Sequence, residues 1–215
     1  MDAVIGNLDQ YWRGFLTTLE LTALSSVMAL ALGTVLAAMR VSPAPPLRAA
    51  GTAYVEIVRN TPLTVVFFFV VFVLPQVDIR LGFFVFAVIA VSAYHAAFFC
   101  EAVRSGINSV SAGQAEAARS IGLTFAQSLR LVILPQAFRT VIPPLINVVI
   151  ALTKNTSIAA AFGTLELTAV GIQLANANAD AVIPLLIGTA VCYLVITLPA
   201  GWLAGVLERR VVFVS

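Results

Sequence analysis

The residues of this chain best suited to bind a water-soluble partner lie at 116–135, a polar stretch inside an otherwise apolar sequence. Ser111 followed three residues later by Gln114 fits a capping box, which predicts the start of a short, alanine-rich helix. Gly122 can adopt the left-handed conformation that ends such a helix. Pro135 should end or kink the helix that follows. Together these signals predict a helical hairpin on the aqueous side of the molecule.

A second capping box, Thr124 with Gln127, begins the other helix of this hairpin. The first helix has small side chains that let another surface approach closely, while Glu116, Arg119 and Arg130 offer polar contacts. One interpretation is a docking loop for a partner protein. The other is an amphipathic connector that lies on the membrane face, and capping signals alone favour this connector.

A second polar group follows a proline-interrupted apolar segment and consists of Lys154, Asn155, Thr156 and Ser157. Their donors and hydroxyls could line a solute pathway, as polar groups at broken helices do in transporters. They could equally satisfy the exposed carbonyls at the end of the broken helix. Both interpretations stay open, and Glu166, nearby in the sequence, joins these residues as a candidate for the pathway.

The remaining reactive side chains have simpler interpretations. His95 lies in an apolar segment, where a packed, hydrogen-bonded histidine is expected rather than a catalytic one. Cys100 and Cys192 also lie in apolar segments and are expected to behave as small buried hydrophobes. Glu101 and Arg104 should form a structural ion pair. The sequence therefore predicts no catalytic residue and no metal site.

Composition determines the class of protein that must position these groups. Hydrophobic residues make up 60% of the chain and charged residues 10%, with a mean hydropathy of +1.02. Soluble domains carry about 25% charged residues. Apolar runs approach the ~20 residues of a spanning helix, without the alternation of barrel strands. We therefore expect an all-α integral membrane protein, a single domain over 1–215 with a cytoplasmic loop at about 104–139.

Apolar runs and breaker residues predict about five transmembrane helices. The first is closed by Arg40 and the prolines Pro43, Pro45 and Pro46. The stretch at 156–179 is expected to be a re-entrant or outer-surface element rather than a span, because irregular backbone at membrane depth must be covered by protein or line a watery cavity. The predicted spans are about Phe15 to Met39, Tyr54 to Pro75, Phe83 to Val103, a fourth starting in the region Val141 to Thr153 and interrupted by Pro143 and Pro144, and Ala181 to Leu207.

Basic residues predict the orientation of these spans. With the N-terminus outside and the C-terminus inside, nine of the twelve Lys and Arg residues fall on the cytoplasmic side. That distribution follows the positive-inside rule. The nine are Arg40, Arg48, Arg59, Arg104, Arg119, Arg130, Arg139, Arg209 and Arg210, and the other three are Arg13, Arg80 and Lys154.

The hairpin resembles a known motif. Glu116, Ala117 and Ala118, then Gly122, then Leu134 and Pro135 are similar in type and spacing to the EAA loop of ATP-binding-cassette importer permeases. The surrounding AYHAAFFCEAVRSGI, SAGQAEAA, LPQAFR, KNTS and RNTPL resemble the polar amino acid permeases, the histidine, glutamine, glutamate and arginine type. Val132, Asn60 and Asn155 depart from the usual Ile, Gly and Asp.

This resemblance implies a permease subunit that forms the pathway for a polar amino acid. The six EAA-loop residues would dock against cytoplasmic ATPase subunits. A second permease subunit, identical or homologous, and an extracytoplasmic solute-binding protein would be the other partners. The cell's inner membrane would be the location, and nucleic acid would not be a partner.

The sequence itself agrees that energy comes from another chain. A phosphate-binding loop needs a glycine-rich stretch before a lysine, and the one lysine, Lys154, lacks it. We therefore expect no enzyme activity and no bound cofactor here, with ATP and Mg²⁺ used by the partner ATPase. The alternative is a secondary transporter or channel driven by an ion gradient, which intramembrane ionisable groups would also suit.

Overall fold

The computed structural model describes residues 2–42 and 44–212 of the chain. Pro43, part of the predicted breaker run, lies outside these residues. The described chain is helical, with no strand in either range. Its α-helices are α1 (Asp2–Ile5), α2 (Leu8–Val41), α3 (Pro45–Arg59), α4 (Leu63–Phe68), α5 (Phe83–Ser109), α6 (Ala112–Ser120), α7 (Phe125–Ser128), α8 (Leu134–Asn155), α9 (Leu167–Ala177) and α10 (Val182–Val212).

Four helical segments of the described chain are long and apolar enough to cross a membrane, and a fifth is counted if one bent pair forms a single span. The four are Leu8–Val41, Phe83–Ser109, Pro135–Phe162 and Ala179–Arg209, and the bent pair is Pro45–Arg59 with Leu63–Val77. The prediction of an all-α membrane protein with about five spans is confirmed.

The second span is expected to be one helix from Tyr54 to Pro75. This prediction is wrong, because the helix is interrupted. The chain bends by 106° between Arg59 and Leu63. Pro62 has no N–H to continue the helix and disfavours helical backbone at the residue before it. The Asn60 amide donates to the Glu56 carbonyl at 2.7 Å, which satisfies one of the carbonyls left free at the end of α3.

The fourth predicted span begins earlier than expected, and its prolines do not interrupt it. Pro143 and Pro144 lie inside α8, which starts at Leu134 and runs without a break to Asn155. Each proline removes one backbone hydrogen bond, but spanning helices tolerate this loss because local adjustments and neighbouring groups compensate. The expectation of a helix broken by these prolines is therefore wrong.

The stretch after α8 contains no long span. A 3-10 helix, Thr156–Phe162, continues directly from α8, and Gly163 then turns the chain with φ at 84°. The 11-residue α9 is too short to cross a bilayer. Leu167, Val170 and Leu174 bury its inner face in a core shared with α2 and α10. This geometry fits the predicted re-entrant or surface element.

The most extensive helix contact joins α2 to α5 and depends on small residues. A side-chain carbon added at Gly33 would lie 2.6 Å from Phe99 Cβ and 2.8 Å from the Ala96 carbonyl oxygen, so the two backbones approach as closely as only glycine allows. A second part of the core forms around Phe67 and Phe162, whose rings stack at 4.9 Å. These contacts fix α5, which carries His95, Glu101 and Arg104.

Candidate functional site

The predicted hairpin is present, and Gly122 ends its first helix as expected. The φ angle of Gly122 is 87°, in the left-handed region. The Leu123 N–H donates to the Ala118 carbonyl at 3.1 Å, and the Gly122 N–H donates to the Arg119 carbonyl at 2.9 Å. This pair of bonds is a Schellman motif, which satisfies carbonyls that the end of α6 leaves free.

Only one of the two predicted capping boxes forms. The Gln127 N–H donates to Thr124 Oγ1 at 3.3 Å, and the Thr124 N–H donates back to Gln127 Oε1 at 2.9 Å. At Ser111 the side chain makes no capping bond, and the Gln114 N–H donates to the Ser111 backbone carbonyl at 3.0 Å instead. The helix starts where predicted, but the Ser111 hydroxyl does not cap it.

The second helix of the hairpin is the base of a spanning helix rather than a separate element. After the four-residue α7, a π-helical segment, Leu129–Ile133, leads directly into α8. Pro135 is the second residue of α8, and its missing N–H coincides with the change from π-helix to α-helix. The expectation that Pro135 ends or kinks the second helix stays a prediction, since the α-helical pattern changes to π-helix just before this residue and the helix continues beyond it. The hairpin is joined through continuous helix to the membrane-spanning part of α8.

The EAA-loop residues differ in their exposure to solvent. Glu116 and Ala117 are exposed, as is Pro135 at the start of α8, whereas Ala118 is buried against the body of the hairpin. The side chain of Leu134 lies outside the described part of the structure. Sequence reasoning missed Ile121, whose side chain is 79% exposed at the tip of the hairpin, next to Gly122. Its position before a helix-ending glycine was the available signal.

Two hydroxyls of the polar group after α8 satisfy helix carbonyls. Thr156 Oγ1 donates to the Thr153 carbonyl and Ser157 Oγ donates to the Lys154 carbonyl, each at 2.7 Å. For these two side chains the geometry favours the carbonyl-satisfying alternative over the pathway alternative. Asn155 differs, because its amide bonds to His95 on a neighbouring helix.

Asn155 meets His95 across the interface of α5 and α8. His95 Nδ1 lies 2.9 Å from the Val91 carbonyl oxygen, which can only accept, so Nδ1 carries the proton. Nε2 of the neutral ring then accepts from the Asn155 amide at 3.1 Å. His95 is 2% exposed, which confirms the expectation of a packed, hydrogen-bonded histidine. No described residue bonds to the Asn155 amide oxygen, which leaves it available to a solute.

A cavity of about 260 Å³ lies directly beside this pair. Its volume is slightly below the range typical of pockets that bind drug-sized ligands, so the cavity suits a smaller solute. Lys154 is exposed and follows the cavity residue Asn147 by seven positions, which places it on the same side of α8 two turns further on. The lining residues are Tyr94, His95, Phe98, Asn147, Val148, Ala151 and Asn155.

Glu166 is buried inside the protein and does not line the cavity beside His95. It is fully buried and caps α9, accepting from the Ala169 N–H at 2.9 Å. Its other oxygen accepts from the Tyr193 hydroxyl at 2.6 Å and from the Thr18 hydroxyl at 3.4 Å. The carboxylate thus joins α2, α9 and α10, and Glu166 is not among the residues that line the cavity. This geometry favours a structural role over the predicted place in the pathway.

Glu101 forms the predicted ion pair with Arg104, at 3.0 Å, and also contacts two arginines that sequence spacing could not identify. These are Arg40 at the end of α2 and Arg59 at the end of α3, the latter at 3.5 Å. The Arg59 guanidinium also lies 5.8 Å from the ring centre of Phe98, a cavity residue. We call Glu101 and its three arginines the arginine cluster.

Comparison with known proteins supports a permease subunit of an ATP-driven importer over a transporter or channel driven by an ion gradient. The family described as "Binding-protein-dependent transport system inner membrane component" matches residues 29–213. The probable glutamine ABC transporter permease protein GlnM of Bacillus subtilis is 42% identical over 208 residues, covering 95% of this chain and 94% of that protein. The glutamate transport system permease protein GluC of Corynebacterium efficiens is 42% identical over 211 residues, covering 91% of each.

Solved structures with a similar fold support the same family. A chain of a solved structure, the crystal structure of an amino acid ABC transporter with histidines, superposes with a TM-score of 0.89 at 31% identity, covering 96% of each chain. A further match, the MetNI methionine ABC transporter in an inward-facing conformation, is 22% identical and shows the fold alone. The chain therefore belongs to the inner-membrane components of binding-protein-dependent transport systems, the permease subunits of ATP-binding-cassette importers.

Proposed function

We propose that this chain forms the membrane pathway for a polar amino acid of the glutamine and glutamate class. Its similarity to the glutamine and glutamate permeases over more than nine tenths of its length supports this substrate class. An extracytoplasmic binding protein delivers the amino acid, and a second permease subunit, identical or homologous, completes the pathway. The partner ATPase hydrolyses ATP with Mg²⁺, since this chain is the transmembrane component.

The hairpin of α6 and α7 is the proposed docking site for the ATPase. The observation that carries this proposal is a hairpin with hydrogen-bonded caps at Gly122 and Thr124, which exposes Glu116 and Ile121 and continues through helix into α8. Ile121, which is 79% exposed at the tip of the hairpin, is the proposed apolar anchor of this contact. Movement of the docked hairpin would then be transmitted along α8 to Asn147 and Asn155 at the cavity.

The cavity beside His95 and Asn155 is the proposed site for the substrate on its way through the membrane. Amide groups of Asn147 and Asn155 can bond to the polar parts of an amino acid, and the aromatic rings of Tyr94 and Phe98 provide the apolar wall. Lys154, on the same side of α8, is the proposed counter-charge for a carboxylate. Glu166 is left out of this pathway, because its oxygens are already occupied.

The experiment that tests the docking proposal is co-purification of the ATPase with an Ile121→Ser permease. Loss of an anchor side chain that the ATPase covers in the complex should weaken ATPase binding about thirtyfold, the roughly 2 kcal/mol lost when a hot-spot residue is removed. Ile183→Ser is the matched control, because Ile183 is similarly exposed, at 72%, but lies at the start of α10. If both variants retain the ATPase equally well, Ile121 is not in the interface and the docking proposal is wrong.

A further inference from the structure

We propose that the arginine cluster is a binding site for the phosphate of an anionic phospholipid in the cytoplasmic leaflet. The cluster places three guanidinium groups, from Arg40, Arg59 and Arg104, around the single carboxylate of Glu101. Three positive charges against one negative charge leave a formal excess of two. A group with this excess attracts a further anion, and the low dielectric of the membrane boundary strengthens that attraction.

The three arginines do not share Glu101 equally. Arg104 binds one carboxylate oxygen at 3.0 Å, while Arg40 and Arg59 both approach the other, with Arg59 the more distant at 3.5 Å. The Arg59 side chain is 47% exposed and that of Arg104 is 37% exposed. Arg104 Nε is buried and has no hydrogen-bond partner among the described residues. The cluster thus contains donors that its own carboxylate does not satisfy.

The surroundings of the cluster suit a lipid rather than a soluble ion. Arg40 is the penultimate residue of α2, so the cluster lies near the membrane boundary, on the cytoplasmic side in the orientation predicted above. The adjacent helix α3 turns Val55 towards α2 and α5 and leaves Ile57 66% exposed. A phospholipid whose phosphate is held by the arginines would therefore place an acyl chain beside Ile57.

Native mass spectrometry of the detergent-purified permease with its ATPase tests this proposal, with phosphatidylglycerol or phosphatidylcholine added as the probe. We expect retention of phosphatidylglycerol and little retention of phosphatidylcholine. Arg59→Gln should reduce the retention of phosphatidylglycerol roughly fivefold, the effect of one basic residue near an anionic surface. Arg59→Lys, which keeps the charge, should retain most of it.

Two further variants guard against indirect effects. Arg80→Gln is the matched control, because it makes the same charge change at an exposed loop residue paired with Asp78 at the predicted outer end. Glu101→Gln removes the competing carboxylate and should increase the retention of phosphatidylglycerol. Equal loss in Arg59→Gln and Arg80→Gln, or unchanged retention in both, would overturn the proposal.

The same measurement separates the lipid from other anions. Inorganic phosphate and glutamate added in excess should leave bound phosphatidylglycerol in place, because neither supplies acyl chains to the face of α3. If glutamate displaces the lipid, the cluster belongs to the substrate pathway, and if inorganic phosphate displaces it, the site binds free anions. Either displacement contradicts the lipid proposal and leaves the docking and cavity proposals untouched.

Discussion

At the scale of single residues, the backbone of Gly122 determines the shape of the hairpin of α6 and α7, the proposed docking site for the ATPase. Its φ of 87° is favourable for glycine and acceptable for asparagine, but it strains a β-branched residue. A side-chain carbon at this position would meet no atom within 4 Å, so strain rather than a clash decides the outcome. The helix end at Gly122 was predictable because the conformational demand is local.

Substitutions of Gly122 should therefore distinguish the effect of backbone strain from the effect of side-chain size. We expect Gly122→Val to destabilise the hairpin by about 1–3 kcal/mol. The protein should still reach the membrane, while ATP-driven uptake and ATPase co-purification fall sharply. Gly122→Asn should keep most of both activities. Uptake and membrane level are measured side by side, and native transport by Gly122→Val would contradict the coupling role of the hairpin.

Asn155 is the residue through which the cavity proposal can be tested most directly. Asn155→Leu keeps a similar volume but removes the amide that donates to His95 and the free amide oxygen. We expect normal membrane insertion and at least about tenfold slower uptake, the cost of roughly 1.4 kcal/mol in lost polar contacts. Ser157→Ala is the control, because that hydroxyl bonds only to its own helix. Equal uptake by both variants would argue that the substrate does not pass Asn155.

At the scale of helices, Glu166 is the group that fixes α9 against its neighbours. Glu166→Ala would leave the Ala169 N–H and the Tyr193 and Thr18 hydroxyls without their acceptor. The expected cost is about 3 kcal/mol, from a lost cap and unsatisfied buried donors. Thermal unfolding in detergent should show a large loss for Glu166→Ala and a smaller one for Glu166→Gln. A change of substrate selectivity at native stability would instead support the pathway role.

Helices also show which structural features the sequence could predict. The break at Pro62 had a visible signal, because Asn60 and Thr61 precede the proline and favour a helix end. Pro143 and Pro144 gave the same signal, yet α8 continues through both, since membrane surroundings change the cost of a missing N–H. The role of Glu166 was not predictable, because its partner Thr18 lies 148 positions away.

At the scale of the whole molecule, the distribution of basic residues and the helix bounds together predict one orientation in the membrane. Asn178, after α9, should face outside, and Ser109, at the end of α5, should face the cytoplasm. Both residues are exposed in the structure. In a background without Cys100 and Cys192, a membrane-impermeant thiol reagent applied from outside should label a cysteine at 178 and miss one at 109. Labelling of the cysteine at 109 alone would show that the protein has the opposite orientation.

The family assignment makes this molecule a multi-pass subunit of the inner membrane and leaves energy supply to a partner. Helix α8 connects the hairpin of α6 and α7, the proposed docking site, to the cavity within one helical segment. Coupling by such a segment needs no ion gradient. The source of energy is therefore the property that separates this account from the alternative of a secondary transporter.

Uptake by sealed proteoliposomes tests that difference most directly. The vesicles contain the permease and its ATPase with ATP and Mg²⁺ on the ATPase side, and radiolabelled glutamine or glutamate is added with its binding protein on the other. Our account predicts uptake that requires both ATP and the binding protein and that persists when ionophores collapse the proton and sodium gradients. Uptake that proceeds without ATP and stops when those gradients collapse would contradict it.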